Sequence, residues 1–286
     1  MKKIITISLI CLYFVNSLYS QAVDNQDIHP SIFEDISNSE SYPAKNESIA
    51  LEIDGSFINV YALLANDSTK KPTVIFCHGL PGNEKNLDLA QVVRRSGRNA
   101  IYFDYRGSWG SQGELSYKNS LDDLRGLIHF LSQPENAETY RIDTSNFILF
   151  GHSYGGGIAL VAGSTIDNVK KIIALSPASF GKYKTKESQQ WLTNFMQAEE
   201  FFMLNQSNDF IQDVIDNAEI YDPVNYKDFL KYKSVLVIDE NERHRPFIDP
   251  LIGVDHRIWE NTDHSFANKR IALAKVVLDW ISKDLE

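Results

Sequence analysis

Gly151-His152-Ser153-Tyr154-Gly155 is the stretch of this chain whose residue types and spacing speak most directly of chemistry. It fits Gly-x-Ser-x-Gly, a pattern short enough to recur by chance, so its surroundings decide its meaning. An apolar run from Asn146 to Phe150 leads into it, and Gly155-Gly156-Gly157 opens a small-residue helix behind it. Strand, sharp turn and helix are the setting in which a serine is held as a nucleophile, and the glycines are needed because side chains would clash in so tight a turn. A glycine-rich turn with only a structural purpose is the alternative.

A serine hydroxyl is a weak nucleophile at neutral pH and needs a base within hydrogen-bond reach to take its proton. Of the seven histidines, His264 is best placed, because Asp263-His264-Ser265-Phe266 forms a polar loop just before the last amphipathic segment. His256 is its rival, also preceded by an aspartate (Asp255), but Arg257-Ile258-Trp259 after it reads as strand. His29, His129 and His244 are widely spaced and offer no metal-ligand cluster, so no metal or organic cofactor is expected. The developing oxyanion needs fixed donors. One is the backbone N–H after the nucleophile, that of Tyr154; the other comes from the loop after the third strand, His78-Gly79-Leu80-Pro81-Gly82, which assigns Leu80 by position.

The elements that must position these groups follow from apolar periodicity. Ile49 to Ile53 and Phe57 to Tyr61 flank Asp54-Gly55-Ser56, a hairpin signature. Strands then alternate with helices: Thr73 to Cys77, a helix from Leu87 to Arg95 ended by Gly97, Ala100 to Phe103, and a helix capped by Ser120 with Asp123 three positions on. Asn146 to Phe150, the helix after Ser153, Lys171 to Leu175, Val235 to Ile238 and a final helix through Leu273, Val277 and Ile281 complete the series. Such alternation predicts an α/β fold with a mostly parallel sheet and helices on both faces. Residues 181–231 break it: Trp191, Phe195, Phe201, Phe202, Leu204, Phe210, Ile211 and Ile215 are spaced as in short helices, which predicts an inserted helical cap forming one wall of a substrate pocket.

His78-Gly79, the loop Asp104 to Ser111, Gly151 to Gly155 and Asp263 to Phe266 occur in the order seen in α/β-hydrolases, and the chain resembles the branch that includes serine aminopeptidase-like, prolyl-oligopeptidase-like and dienelactone-hydrolase-like esterases. The resemblance covers about Ile49 to Ile281. It implies an eight-stranded sheet, a Ser-acid-His triad, and hydrolysis of an ester, or of an amide or peptide bond, through an acyl-enzyme. It does not fix the substrate. The triad acid departs from the family, which follows strand seven with Gly-x-x-Asp and then Val-Pro, where this chain reads Ile238-Asp239-Glu240-Asn241-Glu242-Arg243-His244-Arg245-Pro246. Counting back from Pro246 by the family's four favours Glu242, with Asp239 and Glu240 as the alternatives. A fold that keeps the architecture but binds without catalysis is the competing reading, and the irregular acid is its basis.

Composition narrows the rest. Lys2 and Lys3, an apolar run from Ile4 to Val15, and Ser20-Gln21-Ala22 are ordered as a signal peptide, which predicts export, periplasmic or extracellular, over residues 1–22; a single uncleaved anchor is the alternative. Residues 23–47 read as a mobile lead into a domain over 48–286. Cys11 leaves with the leader, so Cys77 stands alone as a buried hydrophobe and no intramolecular disulfide is available. The formal charge of −10 becomes −12 without the two leader lysines, which excludes nucleic acid as a partner and favours neutral or cationic small-molecule substrates over anionic ones. Stable membrane insertion after leader cleavage is not expected, and the sequence is silent on oligomeric state.

Overall fold

Residues 29–36, 39–199 and 209–283 are described by the computed structural model. Eight strands, β1 (Lys45–Ile53), β2 (Ser56–Leu64), β3 (Lys71–Cys77), β4 (Asn99–Phe103), β5 (Ile142–His152), β6 (Val169–Leu175), β7 (Ser234–Asp239) and β8 (Val254–Ile258), form one sheet in the order β1-β2-β4-β3-β5-β6-β7-β8. β2 runs antiparallel to β1 and β4, and every other pairing is parallel. The first hairpin closes through Asp54 and Gly55 with φ of 48° and 76°, the paired left-handed conformation whose twist matches that of the flanking strands.

The helices are α1 (Leu87–Arg95), α2 (Tyr117–Ser132), α3 (Pro134–Thr139), α4 (Tyr154–Ser164), α5 (Lys186–Ala198), α6 (Phe210–Asp216), α7 (Lys227–Leu230), α8 (Arg245–Ile248) and α9 (Arg270–Ser282). Successive strand residues point to opposite faces, and the core divides accordingly. Ile148, Ile173 and Leu236 pack with Val93 of α1 and Val277 of α9, while Leu149, Ile172 and Val237 pack with Leu127 of α2 and Leu160 of α4. The central strands are therefore apolar at consecutive positions, as a sheet covered on both faces requires. Cys77 lies in this core, where burial pushes its thiol up to about 12 and leaves it a packing group.

Three local expectations differ from the structure. Ser116, not Ser120, caps α2, its hydroxyl accepting from the Asn119 amide at 3.0 Å. Ser120 lies inside the first turn, donating to the Ser116 carbonyl and accepting from the Tyr154 hydroxyl at 2.8 Å. The N-terminal segment is less loose than composition suggests: β1 begins at Lys45, and a 3₁₀ turn at Pro30–Ile32 is held by the Arg95 guanidinium on the Ser31 carbonyl at 2.6 Å. Asp123, expected to support a cap, instead receives Arg106, whose Nε donates at 2.5 Å and whose amide donates at 2.8 Å.

Between β6 and β7 the described part of residues 181–231 is helical, comprising α5, α6, α7 and short 3₁₀ turns. Phe201, Phe202 and Leu204 lie outside the described residues, as does Met1 to Ala22. Among the described residues no helix is long and apolar enough to cross a membrane. All the strands that lead into the site end at one edge of the sheet, which places residues 78–82, Ser153, Ser176 and residues 240–244 side by side.

The Arg106–Asp123 pair is buried on both sides, so removing the carboxylate strands a cation that among the described residues keeps only the exposed Asp54 as an acidic partner. Asp123→Ala is expected to lower stability by about 3 kcal/mol in a denaturant titration, the usual loss when one member of a buried pair is deleted. An unchanged midpoint would contradict this account of the loop.

Candidate active site

Ser153 stands where β5 turns into α4, with φ 53° and ψ −115°. A non-glycine residue there is strained, and the surroundings hold it: the Ser153 amide donates to the Leu175 carbonyl at 2.8 Å, and its carbonyl accepts from the Ala178 amide at 2.8 Å. The neighbouring glycines are dictated by space. A Cβ at Gly151 would run into the Gly155 backbone, and one at Gly155 into the Cys77 carbonyl.

Leu80 and Tyr154 face the same cavity as Ser153. Among the described residues neither of their amides is engaged by a turn, loop or side-chain hydrogen bond, which leaves both available to an oxyanion. The Leu80 loop is braced from behind. Trp109 Nε1 donates to the Pro81 carbonyl at 2.6 Å, the Lys85 ammonium lies 4.4 Å from the Trp109 ring centroid and donates to Asp104 at 3.0 Å, and His78 Nδ1 meets the Gly79 carbonyl at 2.7 Å. Burial pushes His78 down to about 4, so the ring stays neutral and Nδ1–H is the donor.

His264 also lines the cavity. Its carbonyl accepts from His152 Nε2 at 2.8 Å, and the two rings lie 4.8 Å apart. Burial, and then the proximity of His264, push His152 down to about 4, which keeps it a neutral N–H donor. His152 occupies a free position of the serine motif, and nothing in the sequence singled it out. The loop is fixed again by Arg270, which donates to the Ser265 carbonyl at 3.1 Å and pairs with Asp88 of α1.

The acid behind His264 requires a correction. Glu242, favoured by counting from Pro246, is 71% exposed at its side chain and among the described residues its carboxylate pairs only with Arg245, at 3.4 Å. Asn241 accepts from the Arg243 amide and starts a 3₁₀ turn over Glu242–His244, which carries Glu242 away from the sheet edge. Glu240, directly after β7, has a side chain only 7% exposed and sets Oε1 3.2 Å from His264 Nδ1. Its other oxygen accepts from the Ser176 hydroxyl at the end of β6. Asp239 lies on the opposite face of the strand, accepting from His244 Nδ1 and His256 Nε2, each at 2.7 Å. His256 is thereby tied to Asp239, and the structure gives it no contact with Ser153 among the described residues.

The cavity has a volume of about 540 Å³, and Tyr183, Trp191 and Phe195 form its apolar wall, the last two on α5. Their rings run nearly parallel, Tyr183 to Trp191 at 6.2 Å and Trp191 to Phe195 at 5.4 Å. The acidic balance of the chain does not extend inside: Lys182 and Arg243 line the cavity, and no aspartate or glutamate does among the described residues. No cluster suited to a metal ion is present among the described residues.

A family model described as alpha/beta hydrolase fold matches residues 72–221, more than half of the chain. Among curated proteins the chain is similar to a probable 1-acylglycerol-3-phosphate O-acyltransferase of Oryza sativa subsp. japonica, 30% identical over 49% of this chain and 32% of that protein. It is also similar to the quorum-quenching protein AidA of Acinetobacter baumannii, 24% identical over 46% of this chain and 44% of that protein. The chain thus matches less than half the length of these relatives. Est1E from Butyrivibrio proteoclasticus shares the fold, with a TM-score of 0.61 at 15% identity, covering 82% of this chain and 99% of that one.

Burial pushes the Glu240 carboxyl up, but hydrogen bonds from His264 and Ser176 and the charge of Arg243 outweigh it and bring it to about 2, below the ordinary 4.5. A depressed carboxylate contributes stability that is complete above about pH 4.5 and lost as pH falls toward 2. The stability gap between the wild type and Glu240→Gln should therefore shrink as denaturant titrations move from pH 5 to pH 2. A gap that stays constant would contradict the pairing.

Proposed function

The chain belongs to the alpha/beta hydrolase fold family, and from that premise we propose that it is a serine hydrolase that cleaves a carboxylic ester through an acyl-enzyme. The observation that carries this reading is the strained Ser153 at a strand-to-helix turn, opening into one cavity with His264, which Glu240 backs at 3.2 Å.

With the Nδ1 proton of His264 directed at Glu240, Nε2 is left as the acceptor for the Ser153 proton. The serine oxygen then attacks the ester carbonyl carbon. The resulting oxyanion is held by the amides of Leu80 and Tyr154. Collapse breaks the bond to the leaving alcohol as His264 returns the proton to it, and water repeats the sequence on the acyl-serine to release the acid. Arg243 stands close to this relay: its guanidinium lies 2.5 Å from Glu240 Oε1 and 2.9 Å from His264 Nδ1. A nitrogen whose proton points at Glu240 cannot also accept from Arg243, so in the productive tautomer the terminal guanidinium nitrogen pairs with Glu240 rather than with His264. The order of residues in Met1 to Ala22 supports export of the enzyme before it acts.

A fluorophosphonate probe should label Ser153, and Ser153→Ala should lower ester turnover about 10⁴-fold or more. Glu240→Gln should lower it about 10³- to 10⁴-fold, while Glu242→Gln stays near the wild type. The reverse order of the two glutamates would overturn the assignment of the acid, and full turnover by the alanine variant would overturn the nucleophile. Running anilides of the same acyl group beside the esters separates ester from amide cleavage.

A further inference from the structure

The whole chain carries a formal charge of −10, yet among the described residues the charged side chains lining the cavity before Ser153 are Lys182 and Arg243. Arg243 is held from behind. Its Nε donates to His244 Nε2 at 3.1 Å, and that nitrogen is an acceptor because His244 Nδ1 faces the buried Asp239 carboxylate. Asp239 is in turn fixed by His256 on β8. One terminal nitrogen of the guanidinium lies against Glu240 and His264, while Nη1 has no hydrogen-bond partner among the described residues.

Lys182 approaches from the cap side. Its ammonium lies 5.2 Å from the Tyr183 ring centroid and 5.5 Å from that of Trp191, and no carboxylate stands within 4 Å of it among the described residues. Burial, and then the charge of Arg243, lower its pKa. Two cations that sense each other across one cavity repel, and Glu240 can balance only one of them. A local excess of positive charge beside an apolar aromatic wall is complementary to an anion attached to an apolar segment.

We propose that Lys182 and the free edge of Arg243 form an anion-recognition site, so that the esters cleaved at Ser153 carry a carboxylate or phosphate on the portion that enters this cavity. The inference deepens the serine-hydrolase reading and rests on it for the reaction, but the anion site itself stands on the placement of the two cations. It reverses the preference that the net charge of the chain suggests, because the field inside a cleft is set by the groups that line it rather than by the sum over the surface. Trp191 and Phe195 would take the apolar segment between the anion and the ester.

The test compares two pairs of esters matched in length. For a carboxylate on the acyl side the pair is 4-nitrophenyl hemiglutarate and 4-nitrophenyl valerate; for a phosphate on the alcohol side it is valeryl glycerol 3-phosphate and valerylglycerol. In the wild type one charged ester should exceed its neutral partner in kcat/KM by about tenfold or more, and the pair that does so identifies the source of the anion. Lys182→Met should reduce that ratio about tenfold, and Lys182→Glu should bring it below one. Ratios near one in both pairs, or ratios unmoved by both substitutions, overturn the proposal while leaving the hydrolase reading intact. If all four esters are inert and the fluorophosphonate leaves Ser153 unlabelled, the hydrolase reading fails, and calorimetric titration with monomethyl glutarate and with inorganic phosphate decides the anion site separately. Binding of either that weakens at least tenfold in Lys182→Glu supports the site. Binding that is absent, or equal in both proteins, overturns it.

Discussion

The backbone of Ser153 is the constraint on which the rest of the site depends. A side chain at φ 53° and ψ −115° is unfavourable in isolation and persists only where the structure on every side enforces it. β5 and β6 enforce it through the Leu175 carbonyl, and the turn after β6 does so through the Ala178 amide. The glycines at 151 and 155 let β3, β5 and α4 approach more closely than any side chain would permit. The mostly parallel sheet, buried on both faces, provides the rigidity that supports this strain and presents its consequence, a serine side chain lining the cavity, at the carboxyl edge.

Around that fixed point the other groups arrive on loops, and each loop is held by polar contacts of its own. Leu80 is set by Trp109 and Lys85, His264 by His152 and Arg270, and Glu240 by Ser176. Two of the braces, His78 and His152, are histidines kept neutral by burial, which suits a donor that must not change with pH near neutrality. The cap contributes differently. α5 supplies aromatic rings to the cavity wall rather than hydrogen bonds to Ser153, His264 or Glu240, so it bears on what can enter the cavity.

Much of this was legible in the sequence where the signal is local. The hairpin at Asp54-Gly55, the ends of α1, the succession of apolar strands and the serine motif all follow from residues within a few positions of one another. Ser120 shows the limit: Ser116 caps α2, while the Ser120 hydroxyl accepts from Tyr154, a partner distant in sequence. The acid shows it more sharply. Counting from Pro246 treats the loop as extended chain, whereas Asn241 folds it into a 3₁₀ turn and Pro246 lies in the first turn of α8. One residue of strand alternation then separates Glu240, facing His264, from Asp239, facing His244 and His256. The charge of the cavity was not legible either, because Lys182 and Arg243 are 61 positions apart and only the fold gives them a common wall.

The proposed acyl-enzyme on Ser153 can be followed by pre-steady-state hydrolysis of 4-nitrophenyl acetate. Because acylation releases 4-nitrophenol before water frees the serine, a burst approaching one equivalent of product per chain is expected, followed by a slower steady state, with both phases absent in Ser153→Ala. A wild-type protein that shows neither burst nor steady turnover would rule out an acyl-enzyme on Ser153, and would instead describe a hydrolase fold that binds without reacting.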